Sequence, residues 1–265
     1  PLYFLIISAV INAGLDVLFI MKFHMGVEGC AYATVIAQGI SALLCLVYII
    51  QKFDILKLQK TDFAPDVSMM QRLLSIGVPM GLQFSITAIG TIIVQSAINV
   101  FGADYIAGYA AAGKLQNMVN TIFIAFGATI ATYVGQNWGA GKVDRVRQGV
   151  RCTQIMILAY SVIAMILVFF FSKYLTYLFI SPSETKVIEV SVLYFHTVFW
   201  CYPFLGSIFL YRNTLQGLGY GLVPMLGGVF ELAARSAIVV LVAGKTSFAG
   251  VCLSDPAAWI SALIP

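Results

Sequence analysis

The chain has 265 residues, of which 60% are hydrophobic and only 10% charged, with a net charge of +4 and a mean hydropathy of +0.94. A water-soluble domain of this length carries roughly 25% charged residues, so composition excludes that class and indicates a polytopic membrane protein. The small positive excess suits the loop bias that orients membrane helices and gives no support for nucleic acid as a partner.

Eight apolar segments follow one another at 1–21, 27–50, 75–101, 106–135, 153–180, 188–215, 222–243 and 249–265, the last expected to be a truncated helix. At about 1.5 Å per residue, about 20 residues cross a hydrocarbon core. The first segment holds one Asp, Glu, Lys, Arg or His side chain, Asp16, with Asn12 one helical turn before it. Charge at that depth is costly, so an acid there is neutral, paired or facing a wet cavity. The amide of Asn12 shares its face and can hydrogen-bond either protonation state. A structural contact between helices through polar side chains is the alternative.

Between the second and third segments lies the one long polar connection, residues 52–74, which mixes charge signs with spaced Phe53, Ile55, Leu56 and Leu58. It reads as a cytoplasmic linker with an amphipathic helix, separating residues 1–51, the last two helices of one lobe, from a second lobe at 75–265. A weak repeat supports the division. Pro1 and Pro224 open equivalent segments, Ile40-Ser41-Ala42-Leu43 recurs as Ile260-Ser261-Ala262-Leu263, and Gly29-Cys30 answers Gly250-Val251-Cys252. The offset of about 220 residues holds six helices, which keeps the repeats parallel. The predicted fold class is therefore an all-α membrane protein, a polytopic helical bundle of two six-helix lobes related by a parallel repeat, with the first lobe incomplete in this chain.

Basic residues collect in alternate connections. One set holds Lys52, Lys57, Lys60, Arg72, Lys142, Arg145, Arg147, Arg151 and Arg212, the other Lys22, Lys173, Lys186 and Lys245. The richer set is expected to be cytoplasmic. That orientation puts Asp16 about five residues and Thr34 about seven residues from the outer edge, depths that agree within about 3 Å. Asn12, Asp16 and Thr34 can therefore line one pocket of hard oxygen ligands suited to a proton or Na⁺.

The later segments carry polar residues of their own. Gln83, Thr87 and Gln95 lie in the third, Lys114, Gln116, Asn117 and Asn120 in the fourth, Glu231 and Arg235 in the seventh. Glu231 and Arg235 are spaced for an intrahelical ion pair, with Lys114 a competing partner for the acid. Asn117 and Asn120 are spaced to bond a neighbouring helix or to line a cavity. Tyr105, Tyr109, Tyr194, Phe195, Phe199 and Trp200 fall near outer ends, where an interfacial aromatic belt is expected. Five cysteines, Cys30, Cys45, Cys152, Cys201 and Cys252, lie in apolar spans without metal or redox spacing and read as packing residues. His24 and His196 stand apart, and no nucleophile or metal set is visible, so no enzyme, catalytic residue, cofactor or structural metal is expected. Gly135-Gln136-Asn137-Trp138-Gly139-Ala140-Gly141-Lys142 reads as a tight cytoplasmic turn and lacks the phosphate-loop pattern.

Several of these stretches together resemble the multidrug and toxic compound extrusion (MATE) transporters. The likeness is carried by Asn12-x-x-x-Asp16, by Gly29 through Gln38, and by Ile76-Gly77-Val78-Pro79. It continues through the Gly135-Gln136-Asn137-x-Gly139-Ala140-Gly141 turn and Leu215-Gln216-Gly217-Leu218-Gly219 with Pro224. It implies a monomeric twelve-helix protein of a prokaryotic plasma membrane, of which this chain resembles helices five to twelve. It also implies antiport: amphiphilic, often cationic organic compounds leave in exchange for H⁺ or Na⁺. In relatives with a first-lobe cation site, positions matching Asn12, Asp16 and Thr34 take part. Other relatives place a Glu near the position of Thr87, which this sequence lacks, with Gln83 a turn earlier. The substrate cavity is expected among Gln83, Thr87, Lys114, Asn117, Asn120, Glu231 and Arg235. Two other functions are weighed: a flippase for a lipid-linked saccharide, which wants a cationic cavity, and a non-transporting membrane subunit.

Overall fold

The computed structural model describes residues 2–54, 64–242 and 247–265. Among them the chain is helical and without strands, in two compact units, Pro1–Asp66 and Val67–Pro265. The linker side chains Ile55, Leu56 and Leu58, and Lys57, Lys60 and Lys245 of the charge count, lie outside the described residues.

The first unit is a hairpin of α1 (Leu2–Val17) and α2 (Gly26–Lys52). Directly after Asp16 and Val17, α1 loosens into a π-helical turn, Leu18–Lys22. His24 and Gly26 then reverse the chain with left-handed backbones (φ 52° and 57°). The helices meet along small residues spaced four apart on α2, Gly29, Ala33, Ala37 and Ser41, all buried. Small side chains let backbones approach, and in lipid that close packing holds helices together without a hydrophobic driving force. Hydroxyls complete the seam: Ser8 donates to the Ala37 carbonyl at 3.0 Å and Ser41 to that of Phe4 at 3.3 Å.

The second unit begins at α3 (Val67–Asn99), which starts eight residues before the predicted segment and runs unbroken through Pro79. Next come α4 (Ala103–Gly139), α5 (Val143–Thr176), α6 (Thr185–Val198), α7 (Tyr202–Gly217), α8 (Leu222–Val242) and two short helices, α9 (Phe248–Cys252) and α10 (Ser254–Ser261). The predicted single span at 188–215 is α6 and α7 joined by a 3₁₀ turn, Phe199–Cys201, because Pro203 at the start of α7 donates no backbone hydrogen bond to the preceding turn. The predicted last span is likewise two short helices, the second carrying Pro256 in its first turn. Among the described residues seven spans remain long and apolar enough to cross a membrane.

α3 lies along α8, α8 along α10, and α4 against α5, α6 and α7. The core between them is apolar, with Phe123, Ile157, Phe195, Tyr202 and Leu210 fully buried. Tyr194 and Phe195, read from sequence as parts of an interfacial belt, are instead 3% and 1% exposed inside this core. Only one of the glycines expected to form the 135–142 turn has a left-handed backbone, Gly141 (φ 71°); Gly135 and Gly139 continue α4. A Cβ on Gly135 would lie 3.3 Å from the Gly217 carbonyl oxygen, so that glycine serves helix packing.

Candidate functional sites in the two units

In the first unit, Asn12 and Thr34 face each other across the hairpin. Asn12 Nδ2 donates to Thr34 Oγ1 at 3.4 Å, and the threonine hydroxyl donates to the Cys30 carbonyl at 2.9 Å. With Ser8 and Gln38 they line a small cavity of about 220 Å³. Asp16 is one turn along α1, half-buried, and makes no hydrogen bond to either. Its Oδ1 is fully buried and has no partner among the described residues. A buried acceptor without a donor is costly. Asp16 is not among the residues lining the cavity, so the structure brings Asn12 and Thr34 together and leaves Asp16 one helical turn away from them.

The second unit places four charged side chains in one buried cluster. Glu231 and Arg235, one turn apart on α8, pair at 3.0 Å. The other Glu231 oxygen meets Arg212 Nη2 of α7 at 3.3 Å. Arg235 Nη2 also reaches Asp255 Oδ1 of α10 at 3.4 Å, and the second Asp255 oxygen accepts from the Tyr194 hydroxyl at 2.9 Å. Gln83 of α3 closes the far side. With its carboxamide oxygen turned toward Arg212, as the hydrogen bonds require, it accepts from Nε at 3.0 Å and Nη1 at 3.1 Å. The carboxamide of Gln216 lies 3.3 Å from that of Gln83. Glu231, Arg235 and Asp255 are 6%, 5% and 8% exposed.

Of the side chains expected in a substrate cavity, Gln83, Glu231 and Arg235 meet here. Thr87 is a turn from Gln83 with its buried hydroxyl unpartnered among the described residues. Lys114 does not compete for Glu231: it is exposed, with Nζ 5.6 Å above the Phe179 ring in a cation–π contact, and no carboxylate among the described residues pairs with it. Asn120 accepts from Gln116 Nε2 at 3.1 Å, and Gln116 accepts from the Tyr202 hydroxyl at 2.9 Å, while Asn117 is exposed. No hydrogen bond or ion pair joins Lys114, Asn117 or Asn120 to the cluster among the described residues.

Sequence reasoning missed Asp255, Tyr194 and Gln216, and it did not pair Arg212 with Glu231. One signal was available: Arg212 and Gln216 are one turn apart on a single apolar helix. Asp255 gave none, since an Asp before a Pro reads as a turn.

Among the described residues, seven helices long and apolar enough to cross a membrane make this a multi-pass membrane protein. The MatE family model matches residues 79–242, and the chain belongs to that family. It is 30% identical over 223 residues to a probable multidrug resistance protein of Bacillus subtilis, YpnP, covering 83% of this chain and 48% of the relative. A second from the same organism, YoeA, is 28% identical over 274 residues, covering all of this chain and 59% of the relative. The chain thus spans about half to three fifths of these relatives. Among solved structures, a MOP superfamily transporter from Pyrococcus furiosus matches with a TM-score of 0.90 at 17% identity over 99% of this chain and 60% of that one. A multidrug resistance MATE family transporter in an outward-facing conformation matches at 0.89 and 16% identity, over 99% and 59%. At such identities the likeness is one of fold.

Proposed function

We propose that the chain belongs to a secondary multidrug antiporter that exports organic compounds against inward H⁺ or Na⁺. Asn12, Asp16 and Thr34 form its cation site. The observation that carries the reading is the buried, unpartnered Oδ1 of Asp16, one helical turn along α1 from the hydrogen bond between Asn12 and Thr34. An open carboxylate oxygen in an apolar helix is stabilised by taking up a cation. The adjoining π-helical turn, Leu18–Lys22, is where α1 can change register at low cost when that cation arrives. The printed names of the relatives, multidrug resistance and multidrug export proteins, agree with this activity. Residues 1–51 are read as part of one lobe, and the unit from Val67 as the other. Of the three cationic side chains that could serve the flippase alternative, Arg212 and Arg235 are engaged by Glu231 with Asp255 a second anion beside them, which leaves Lys114, over the Phe179 ring, as a single cation where a pyrophosphate wants several.

The test is export by cells carrying the full-length protein, followed by proteoliposomes in which proton and sodium gradients are imposed separately. Asp16→Asn is expected to lower gradient-driven export at least tenfold. Unchanged export with unchanged ion dependence would remove Asp16 from the mechanism.

A further inference from the structure

We propose that the second unit contains a cation site that is already filled, by the guanidinium of Arg212, so that this unit takes up no free coupling ion. The consequence for transport rests on the cation-coupled reading above; the geometry does not.

Three hydrogen bonds hold this guanidinium, accepted by two oxygens on two helices that do not carry it. The Gln83 carboxamide of α3 takes Nε at 3.0 Å and Nη1 at 3.1 Å, and the Glu231 carboxylate of α8 takes Nη2 at 3.3 Å. One carboxylate and an amide carbonyl are the ligands a desolvated monovalent cation seeks. Here their lone pairs are occupied by N–H groups of a cation tethered to α7. The side chain of Arg212 is 16% exposed against 7% for Glu231, so the tethered cation stands on the accessible side of the acid.

The charge count points the same way. The cluster holds Arg212 and Arg235 against Glu231 and Asp255, two of each sign. The other groups facing it are neutral at pH 7: Gln83, Gln216, Tyr194, and Tyr109 and Cys252 within electrostatic reach of Asp255. Lys114 is turned away over Phe179. A neutral buried cluster gains nothing from a further cation, which would leave it with net positive charge in a low dielectric. Removal of Arg212 reverses this. Two acids then face Arg235 alone, and the cluster recovers neutrality by taking one proton or one monovalent cation at Glu231.

Thermal unfolding of the purified full-length protein distinguishes the cases, measured with sodium or choline at pH 8, and without sodium from pH 8 to pH 6. All variants carry Asp16→Asn to silence the first unit. D16N is expected to show no sodium response, and D16N/E231Q to match it in its responses to both ions. D16N/R212M and D16N/R212Q are expected to gain a rise in Tm of about 2–5 °C with sodium or with falling pH. That gain is expected to vanish when Glu231→Gln is added and to be absent from D16N/R212K, which keeps a tethered cation. A sodium response in D16N that Glu231→Gln abolishes would overturn the proposal, as would folded R212M and R212Q proteins insensitive to both ions. Should neither Arg212 variant fold, the comparison of D16N with D16N/E231Q still decides it. A wild type that matches D16N under every ion condition would instead defeat the Asp16 reading and leave the Arg212 comparisons intact.

Discussion

Replacing Glu231 by Gln removes one negative charge and little volume, and the structure sets what that should cost. The carboxylate holds Arg235 at 3.0 Å and Arg212 at 3.3 Å, in a cluster where the three side chains are 6–16% exposed. Removing one partner of a buried ion pair typically costs about 3–5 kcal/mol, because the other charge is left without compensation. Three features place this case at or below the low end. Arg235 keeps Asp255 at 3.4 Å, Arg212 keeps two hydrogen bonds to Gln83, and glutamine retains one carbonyl oxygen. A loss of about 2–3 kcal/mol follows, or roughly 5–10 °C in Tm at about 2–4 °C per kcal/mol. The measurement is unfolding followed by intrinsic tryptophan fluorescence. The decisive variant is the double one, E231Q/R212M, in which one cation faces one acid again and about half the loss is expected to return. An E231Q protein within about 1 °C of wild type, or a double variant whose loss equals the sum of the singles, would refute the cluster as a charge-balanced unit.

Other outcomes follow from the same geometry. Tyr194→Phe deletes a buried donor 2.9 Å from Asp255 and is expected to cost about 1–3 kcal/mol, with helix content unchanged by circular dichroism; a tyrosine in an interfacial belt would lose about 0.5 kcal/mol or less. Gly217→Ala would set a Cβ 2.6 Å from the Ala131 carbonyl oxygen, forcing α4 and α7 apart. The overpacking cost of about 1–3 kcal/mol exceeds the helix-propensity gain of about 1 kcal/mol, so a lowered Tm is expected.

Much of the architecture was legible because membrane helices are specified locally. Runs of apolar residues mark α1 through α5 and α8, and the i, i+4 spacing of Glu231 and Arg235 gives their pairing directly. The failures have particular causes. Hydropathy continues straight through Phe199–Cys201, so the break between α6 and α7 is invisible unless Pro203 is given its weight. Tyr194 and Phe195 have the residue types and position of a belt, yet they turn inward because α6 packs against α4 and α5. Lys114 and Glu231 both lie at depth in the sequence, but depth says nothing about which side of a bundle a helix face will take.

The chain's own order of residues settled the membrane class, the run of spans, and the meeting of Asn12 with Thr34, since a hairpin of two adjacent helices leaves few ways to face. The partners of Arg212, and the Asp255 that meets Arg235, were decided by the fold alone. Those partners come from α3, α8 and α10, up to about 130 residues away, and which helices become neighbours is fixed by packing across the whole unit.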